Sequence, residues 1–334
     1  MCTRTLYVGD DGTVITGRNM DWKEDMYSDL WALPAGVARD GGAGPGSIRW
    51  TSRYGSVAVS GYDAGTTDGL NEKGLAANLL YLAESDYGSP DGDRPLLTNA
   101  VWLQYVLDNF ATVAETVAAL AQEPFCIVAP ALPNGSKATL HLSISDASGD
   151  SAILEYLGGK LTIHHGRQYV VMTNSPTYDQ QLAINEYWKR VGGLQFLPGT
   201  NNAADRFARA SFLLGAIPRK ADPNYIRCVP EQSYAHQAVA AVLSVQRAVA
   251  VPLGITTPEQ PNISSTIWRT IADHRNLIYY FDSATTPNTF WVSLAKLDLR
   301  EGAPAKRLVI QHGEIFAGET ADRFEDVGAF SLFP

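Results

Sequence analysis

Met1-Cys2-Thr3-Arg4-Thr5-Leu6-Tyr7-Val8-Gly9-Asp10-Asp11-Gly12-Thr13-Val14-Ile15-Thr16-Gly17-Arg18-Asn19-Met20-Asp21-Trp22 begins the chain. Residues 3–8 and 13–19 are strand-like runs on either side of Asp10-Asp11-Gly12. That pattern predicts a β-hairpin. With the turn centred near Asp11, antiparallel register sets Cys2 across from residues 19–21 and returns Arg18 and Asp21 to the side of the first residues. The N-terminal end of the chain thereby acquires charged neighbours.

Working outward, the Gly-rich run 41–46 reads as a surface loop, because no strand leads into it and no helix follows directly, as a phosphate-binding turn would need. A strand is expected at 56–61 and helical periodicity at 96–109. A second helix should follow Thr112, since Thr112-Val113-Ala114-Glu115 has capping-box spacing. A meander comes next, with strands at 140–145, 152–157, 161–165 and 169–173. Helical patterns return at 203–216 and 234–249, before final strands at 265–273, 276–281 and 290–296. Strands in hairpins and helices in separate blocks argue for antiparallel sheets covered by helices, an α+β class. No repeat and no Pro/Ser-rich linker divides the chain, so residues 1–334 read as one domain.

Composition narrows the function. With 45% hydrophobic and 18% charged residues the chain has apolar surface for a large core and too little charge density for disorder. A net charge of -9 and the absence of a basic run exclude nucleic acid as a partner. The longest apolar stretch, 238–255, is interrupted by Gln246, Arg247 and Pro252, which argues against a membrane span. No basic, apolar leader precedes Cys2, as expected of a cytoplasmic enzyme, and equally of a periplasmic one whose leader has been cut away. Cys2, Cys126 and Cys228 are too few for a disulfide framework and lack zinc-binding spacing, so no metal and no cofactor is expected.

A thiol at position 2 therefore needs its own explanation. Once Met1 is removed, Cys2 carries both a nucleophile and a base, because an α-amine has a reference pKa near 7.7 to 8.0 against about 10.4 for lysine. About a third of it is free base near pH 7.5, which suits general-base work. Asp21 at this spacing can fix and polarise that amine, and Arg18 can favour the thiolate. An edge-strand charge pair facing water is the bland alternative. Other nucleophile systems are poorly represented: there is no GxSxG elbow, and none of His141, His164, His165, His236 and His274 has HExxH spacing.

Taken together, Met1-Cys2-Thr3, Gly17-Arg18-Asn19-Met20-Asp21-Trp22, Asn71-Glu72-Lys73-Gly74-Leu75, Thr173-Asn174-Ser175-Pro176 and Ser264-Ser265-Thr266-Ile267-Trp268-Arg269-Thr270 resemble the choloylglycine hydrolase family, which contains penicillin V acylases and conjugated bile salt hydrolases. The resemblance implies an αββα sandwich, two antiparallel sheets between helical layers. It implies a linear-amide hydrolase with Cys2 as nucleophile and, through its amine, base. Arg18 and Asp21 would tune it, Asn174 would donate its side-chain amide to the oxyanion, and Arg227 would complete the polar cluster. The backbone N–H of Tyr81 would be the second oxyanion donor, at a position where bile salt hydrolases carry asparagine and penicillin V acylases tyrosine. Met20, Trp22 and Tyr62 would contact substrate.

The same resemblance makes penicillin V and N-acyl homoserine lactones the candidate substrates, the latter a quorum-quenching activity, with bile salts second. A non-catalytic ligand-binding protein retaining Met1 and a Cys-dependent peptidase are the other readings. It also implies a homo-oligomer, a tetramer, although the segment between Asp179 and Asp205, where certain relatives carry a subunit-contact excursion, is short here.

Overall fold

The structure is a computed structural model that describes residues 2–130, 138–259 and 264–328; Met1, whose removal is expected from the sequence, lies outside them. The hairpin is present, with Cys2–Val8 paired antiparallel to Val14–Trp22. Cys2 stands opposite Met20, inside the expected window. Gly12 takes φ +81° in the turn, where its N–H donates to the Gly9 carbonyl, and the Asp11 carboxylate accepts from the Thr13 N–H. A left-handed residue there favours glycine.

The hairpin lies inside a seven-stranded sheet whose order is Val171–Met172, Cys2–Val8, Val14–Trp22, Ser265–Asp273, Ile278–Ser283, Thr289–Ser293 and Gly318–Glu319. Only the last pairing is parallel. A nine-stranded antiparallel sheet faces it, ordered Lys160–His165, Ser151–Leu157, Leu140–Ser145, Ala76–Tyr81, Gly65–Asn71, Ser56–Gly61, Leu30–Leu33, Lys306–Leu308 and Glu325–Asp326.

Strand alternation assigns the layers. Along Ala76–Tyr81, Ala76 and Leu80 join Cys2, Met20 and Trp268 between the sheets. Ala77 and Leu79 face outward onto Trp102, Leu103 and Leu107 of helix Asn99–Asn109, beside helix Val113–Leu120. On the far side, helices Ala203–Ala216 and Tyr234–Ala248 cover the seven-stranded sheet, and Tyr178–Val191 packs on the first of them. The layers run helix, sheet, sheet, helix, as the α+β sandwich expectation requires. No helix among the described residues is long and apolar enough to cross a membrane.

Three local expectations are corrected. The pattern at 96–109 divides, because Leu96–Thr98 pairs in parallel with Cys126–Val128 and the helix starts at Asn99. The strand expected at 169–173 shrinks to Val171–Met172. Helix Tyr178–Val191 had no apolar stripe to announce it, since its buried positions are Tyr178, Gln181 and Asn185. The cap at Thr112 does form: its hydroxyl accepts from the Glu115 N–H, and the Glu115 carboxylate reaches back to the Ala111 N–H.

Gly17 shows how tightly the hairpin is clamped. A Cβ there would lie 2.8 Å from Val242 Cγ1 and 2.9 Å from Gln246 Cγ. Gln246 donates from its side-chain amide to Thr5 Oγ1 and accepts at its main-chain carbonyl from the Asn19 side-chain amide. Gly17→Val should therefore lift helix Tyr234–Ala248 off the strand and destabilise the fold by roughly 1–3 kcal/mol. A lower urea midpoint at unchanged slope is the expected result.

Candidate active site

Cys2 is the first residue of its strand and is 3% exposed. Its side chain enters the space between the sheets. Residues 18 and 20 of the partner strand share that face, as the two-residue period demands. Met20 Sδ lies 3.8 Å from Cys2 Sγ, and Arg18 Nη2 is 3.7 Å from the same sulfur. Arg18 donates from Nη2 to the Leu79 carbonyl at 2.9 Å and lies over the Trp268 ring at 4.6 Å. Trp268 reaches that place because a bulge at Ile267 shifts the register, pairing Thr266 with Asp21 and Trp268 with Met20.

Beyond Arg18 stands Asp68, fully buried, with Oδ2 3.8 Å from Arg18 Nη1. Asn78 Nδ2 donates to it at 2.7 Å, Thr270 Oγ1 at 3.0 Å, and the Tyr279 hydroxyl also donates. Burial raises the Asp68 pKa, and Arg18 and the three donors oppose that rise. Asn78 is itself oriented, because its Oδ1 accepts from Ser143 Oγ.

The backbone of Cys2 is gripped from the opposite face of the sheet. Its N–H donates to Asn174 Oδ1 at 2.5 Å. Arg206 donates from Nη1 to the Cys2 carbonyl and to Thr3 Oγ1, each at 2.5 Å, and from Nη2 to Asn174 Oδ1 at 2.8 Å. Asp21 Oδ2 lies 3.5 Å from Arg206 Nη1, and Asp21 Oδ1 accepts from Thr266 Oγ1 at 2.6 Å. Desolvation lowers the pKa of this wholly buried guanidinium, with Asp21 and Cys2 opposing.

Two donors converge on a stretch of strand edge. Leu82 N–H bonds to Thr139, so by antiparallel alternation Tyr81 N–H points the other way, past the last pair, Asp68 with Asn78, of the neighbouring strand. Arg18 occupies the Leu79 carbonyl on that edge, and Asn174 Nδ2 donates to the Tyr81 carbonyl at 2.6 Å. Because Asn174 Oδ1 accepts twice, its amide is oriented by the network. One of its two N–H groups is engaged and the second remains to serve a ligand.

Beside Cys2 is an apolar cavity of about 110 Å³ walled by Met20, Trp22, Met26, Tyr62, Leu79 and Tyr81. The Trp22 and Tyr81 rings stand 6.2 Å apart at 55°. Trp22 Nε1 donates to the Tyr62 hydroxyl at 2.6 Å, and that hydroxyl donates to Glu24 Oε1 at 2.7 Å. No group of three or more His, Cys, Asp or Glu side chains among the described residues could hold a metal ion.

Of the expected residues, Cys2, Arg18, Met20, Asp21, Trp22, Tyr62, Tyr81 and Asn174 are thus brought together. Arg227 is not: it is exposed, in the single turn Ile226–Cys228, and the guanidinium of the cluster belongs to Arg206. The signal for Arg206 was present but went unread. On helix Ala203–Ala216 the buried positions include Ala203, Phe207, Ala210 and Leu214, and Arg206 falls on the same stripe. A charge on an apolar stripe needs a buried partner. Asp68 was missed likewise, as a carboxylate within a strand buried on both sides.

Residues 2–310 match the family described as "Linear amide C-N hydrolases, choloylglycine hydrolase family". The chain is 48% identical to a penicillin V acylase of Pectobacterium atrosepticum, with 99% of this chain and 92% of that one covered. It is 29% identical to a bile salt hydrolase/transferase of Clostridium perfringens, over 65% of this chain and 73% of that one. The solved structure of penicillin V acylase from Agrobacterium tumefaciens superposes with a TM-score of 0.87 at 54% identity, covering 98% of both chains. With the hairpin, the paired sheets and this match over most of its length, the chain belongs to the choloylglycine hydrolase family, enzymes that hydrolyse linear amide C–N bonds on the N-terminal-nucleophile fold.

Proposed function

We propose that the protein is a penicillin V acylase-like amidase that acts through Cys2 once Met1 has been removed. The observation that carries this reading is the position of Cys2: its Sγ faces an apolar cavity beside Arg18, while its nitrogen is held by Asn174 Oδ1. The freed α-amine takes the thiol proton and Sγ attacks the amide carbonyl carbon. The tetrahedral oxyanion is met by the second N–H of Asn174 and the N–H of Tyr81. As the C–N bond breaks, the α-ammonium returns its proton to the leaving amine. Water, activated by the same amine, then hydrolyses the thioester and releases the acid. Arg18 stabilises the thiolate, and Asp21 and Arg206 hold the amine-bearing residue in register.

The two relatives of high identity, both penicillin V acylases, support phenoxyacetyl amides as substrates. The cavity agrees in scale, since its roughly 110 Å³ is of the order of the ~150 Å³ cavity that takes one benzene ring, far below a steroid. N-acyl homoserine lactones offer the same linear amide on an aliphatic acyl group and form the second class. Assembly with copies of itself belongs to the same proposal, supported by Tyr187, Leu194 and Phe196, which are exposed on and after helix Tyr178–Val191.

Protein whose intact mass shows Met1 removed should hydrolyse penicillin V, and protein retaining Met1 should not; full turnover by the unprocessed form would end the Cys2 mechanism. Asn174→Ala should lower kcat about 10²- to 10³-fold, and an unchanged kcat would make Asn174 structural.

The two arginines separate cleanly. Arg206→Leu removes the buried cation 3.5 Å from Asp21 and leaves the Cys2 carbonyl, Thr3 and Asn174 without their donor, and should cost about 3–5 kcal/mol of stability with loss of activity. Arg227→Ala, at an exposed turn, should stay within about 0.5 kcal/mol and keep its kcat/KM. Urea titration and penicillin V kinetics on both variants check this.

A further inference from the structure

Trp22 has a cavity on each side. Beyond the small cavity at Cys2 it also lines a second one of about 630 Å³, floored by Trp268, Phe281, Phe290 and Phe316. Trp22 is the last residue of its strand, so little of the sheet ladder constrains the chain beyond it. What fixes the indole is the chain of hydrogen bonds from Nε1 to the Tyr62 hydroxyl and from that hydroxyl to Glu24. Tyr62 is committed to that geometry by its backbone. It has φ +55°, followed by Asp63 at +53°, and its N–H donates to the Met26 carbonyl. Such left-handed conformations in non-glycine residues are held only where the surroundings over-determine them. Burial and Glu24 push the Tyr62 phenol up to about 12, so its proton stays in place to make the second bond.

We propose that the second cavity is a distal subsite for the end of a long aliphatic acyl chain, and that Glu24 and Tyr62 latch Trp22 as the partition that closes it. The inference rests on the amidase reading above for the placement of the acyl carbonyl at Cys2. In the latched state the acyl group has only about 110 Å³, room for one aryl ring. When the latch opens, Trp22 turns aside and the two cavities join into one apolar path. Charge argues against the other occupant, an anionic leaving group such as a penam carboxylate. Of the charged lining residues of the second cavity Glu314 is paired with Arg323, and Lys23 stands against Glu24 and Asp25, a balance that offers a carboxylate no surplus cation, while the aromatic floor suits an alkyl chain.

The test compares decanoyl and phenoxyacetyl amides of one amine, 6-aminopenicillanic acid, on Met-processed enzyme. Tyr62→Phe keeps the ring and removes both latch bonds, and Glu24→Ala removes the outer one. Each should raise the ratio of kcat/KM for decanoyl over phenoxyacetyl roughly three- to tenfold, the worth of one hydrogen bond. Ser283→Phe, which fills the second cavity from its wall, should push the ratio below that of the unmodified enzyme. A ratio unmoved by both latch variants, or unmoved by Ser283→Phe, overturns the proposal.

Binding of decanoate and phenoxyacetate to the same variants in a Cys2→Ala background, measured by calorimetry, separates the two readings. If neither amide is hydrolysed by the parent enzyme but the affinity ratio shifts as above, the subsite stands and the amidase reading falls. If turnover occurs and neither ratio shifts, the amidase stands and the subsite falls.

Discussion

The guanidinium of Arg206 ties helix Ala203–Ala216 to the first strand, to Asn174 and to Asp21. It lies on a helix outside the seven-stranded sheet, yet it donates to the Cys2 carbonyl, to Thr3 and to Asn174, and it faces Asp21 across 3.5 Å. Arg206 supplies this tie at the backbone of Cys2, the residue proposed as nucleophile. Removing such a charge from water is expensive, and the cost is tolerable only because several acceptors converge on it in a fixed geometry. The wholly buried Asp21 completes that set and is in turn fixed by Thr266 from the neighbouring strand Ser265–Asp273.

Strand periodicity then separates two electrostatic jobs at one residue. Arg206, with Asp21 behind it, holds the backbone of Cys2 from the helix side, while Arg18, three residues before Asp21, points to the other face and reaches the sulfur. An odd separation along a strand puts two side chains on opposite faces. Arg18 needs its own surroundings, and it has them in the Trp268 ring, the Leu79 carbonyl and Asp68. Asp68 is bridged to both sheets, through Asn78 on one and Thr270 and Tyr279 on the other. The sheets are therefore registered against each other by the same carboxylate that stands behind the arginine.

How much of this could be read beforehand follows from the range of each signal. The hairpin register, with Cys2 facing Met20, was legible because an Asp-Gly turn and two alternating runs are local information. Helix Ala203–Ala216 and strands Ser56–Gly61 and Ser265–Asp273 were legible for the same reason, the helix by its apolar stripe and the strands as short local runs. Helix Tyr178–Val191 was not, since Gln181 and Asn185 occupy its buried face and Gln181 donates to the Asn174 and Ser175 carbonyls. Arg206 and Asp68 have partners more than 180 residues away in Thr3, Thr270 and Tyr279, and no local pattern reports such a partner. Arg227 failed for the complementary reason, because a short turn with no periodicity carries no sign of whether its arginine faces inward.

The bulge at Ile267 connects these strands of argument. Without the extra residue, the alternation along Ser265–Asp273 could not pair Thr266 with Asp21 and also Trp268 with Met20. The bulge lets Thr266 serve the helix-side carboxylate while Trp268 lies under Arg18 on the inner face. It also sends the Trp268 ring to the floor of the larger cavity, so the aromatic surface that supports Arg18 on one side lines that cavity on the other. Arg18 and Trp268 are thereby coupled. On the proposed reading, a ligand pressing on that ring acts on the cation 3.7 Å from the sulfur, so that acyl-chain recognition and nucleophile activation would share one indole.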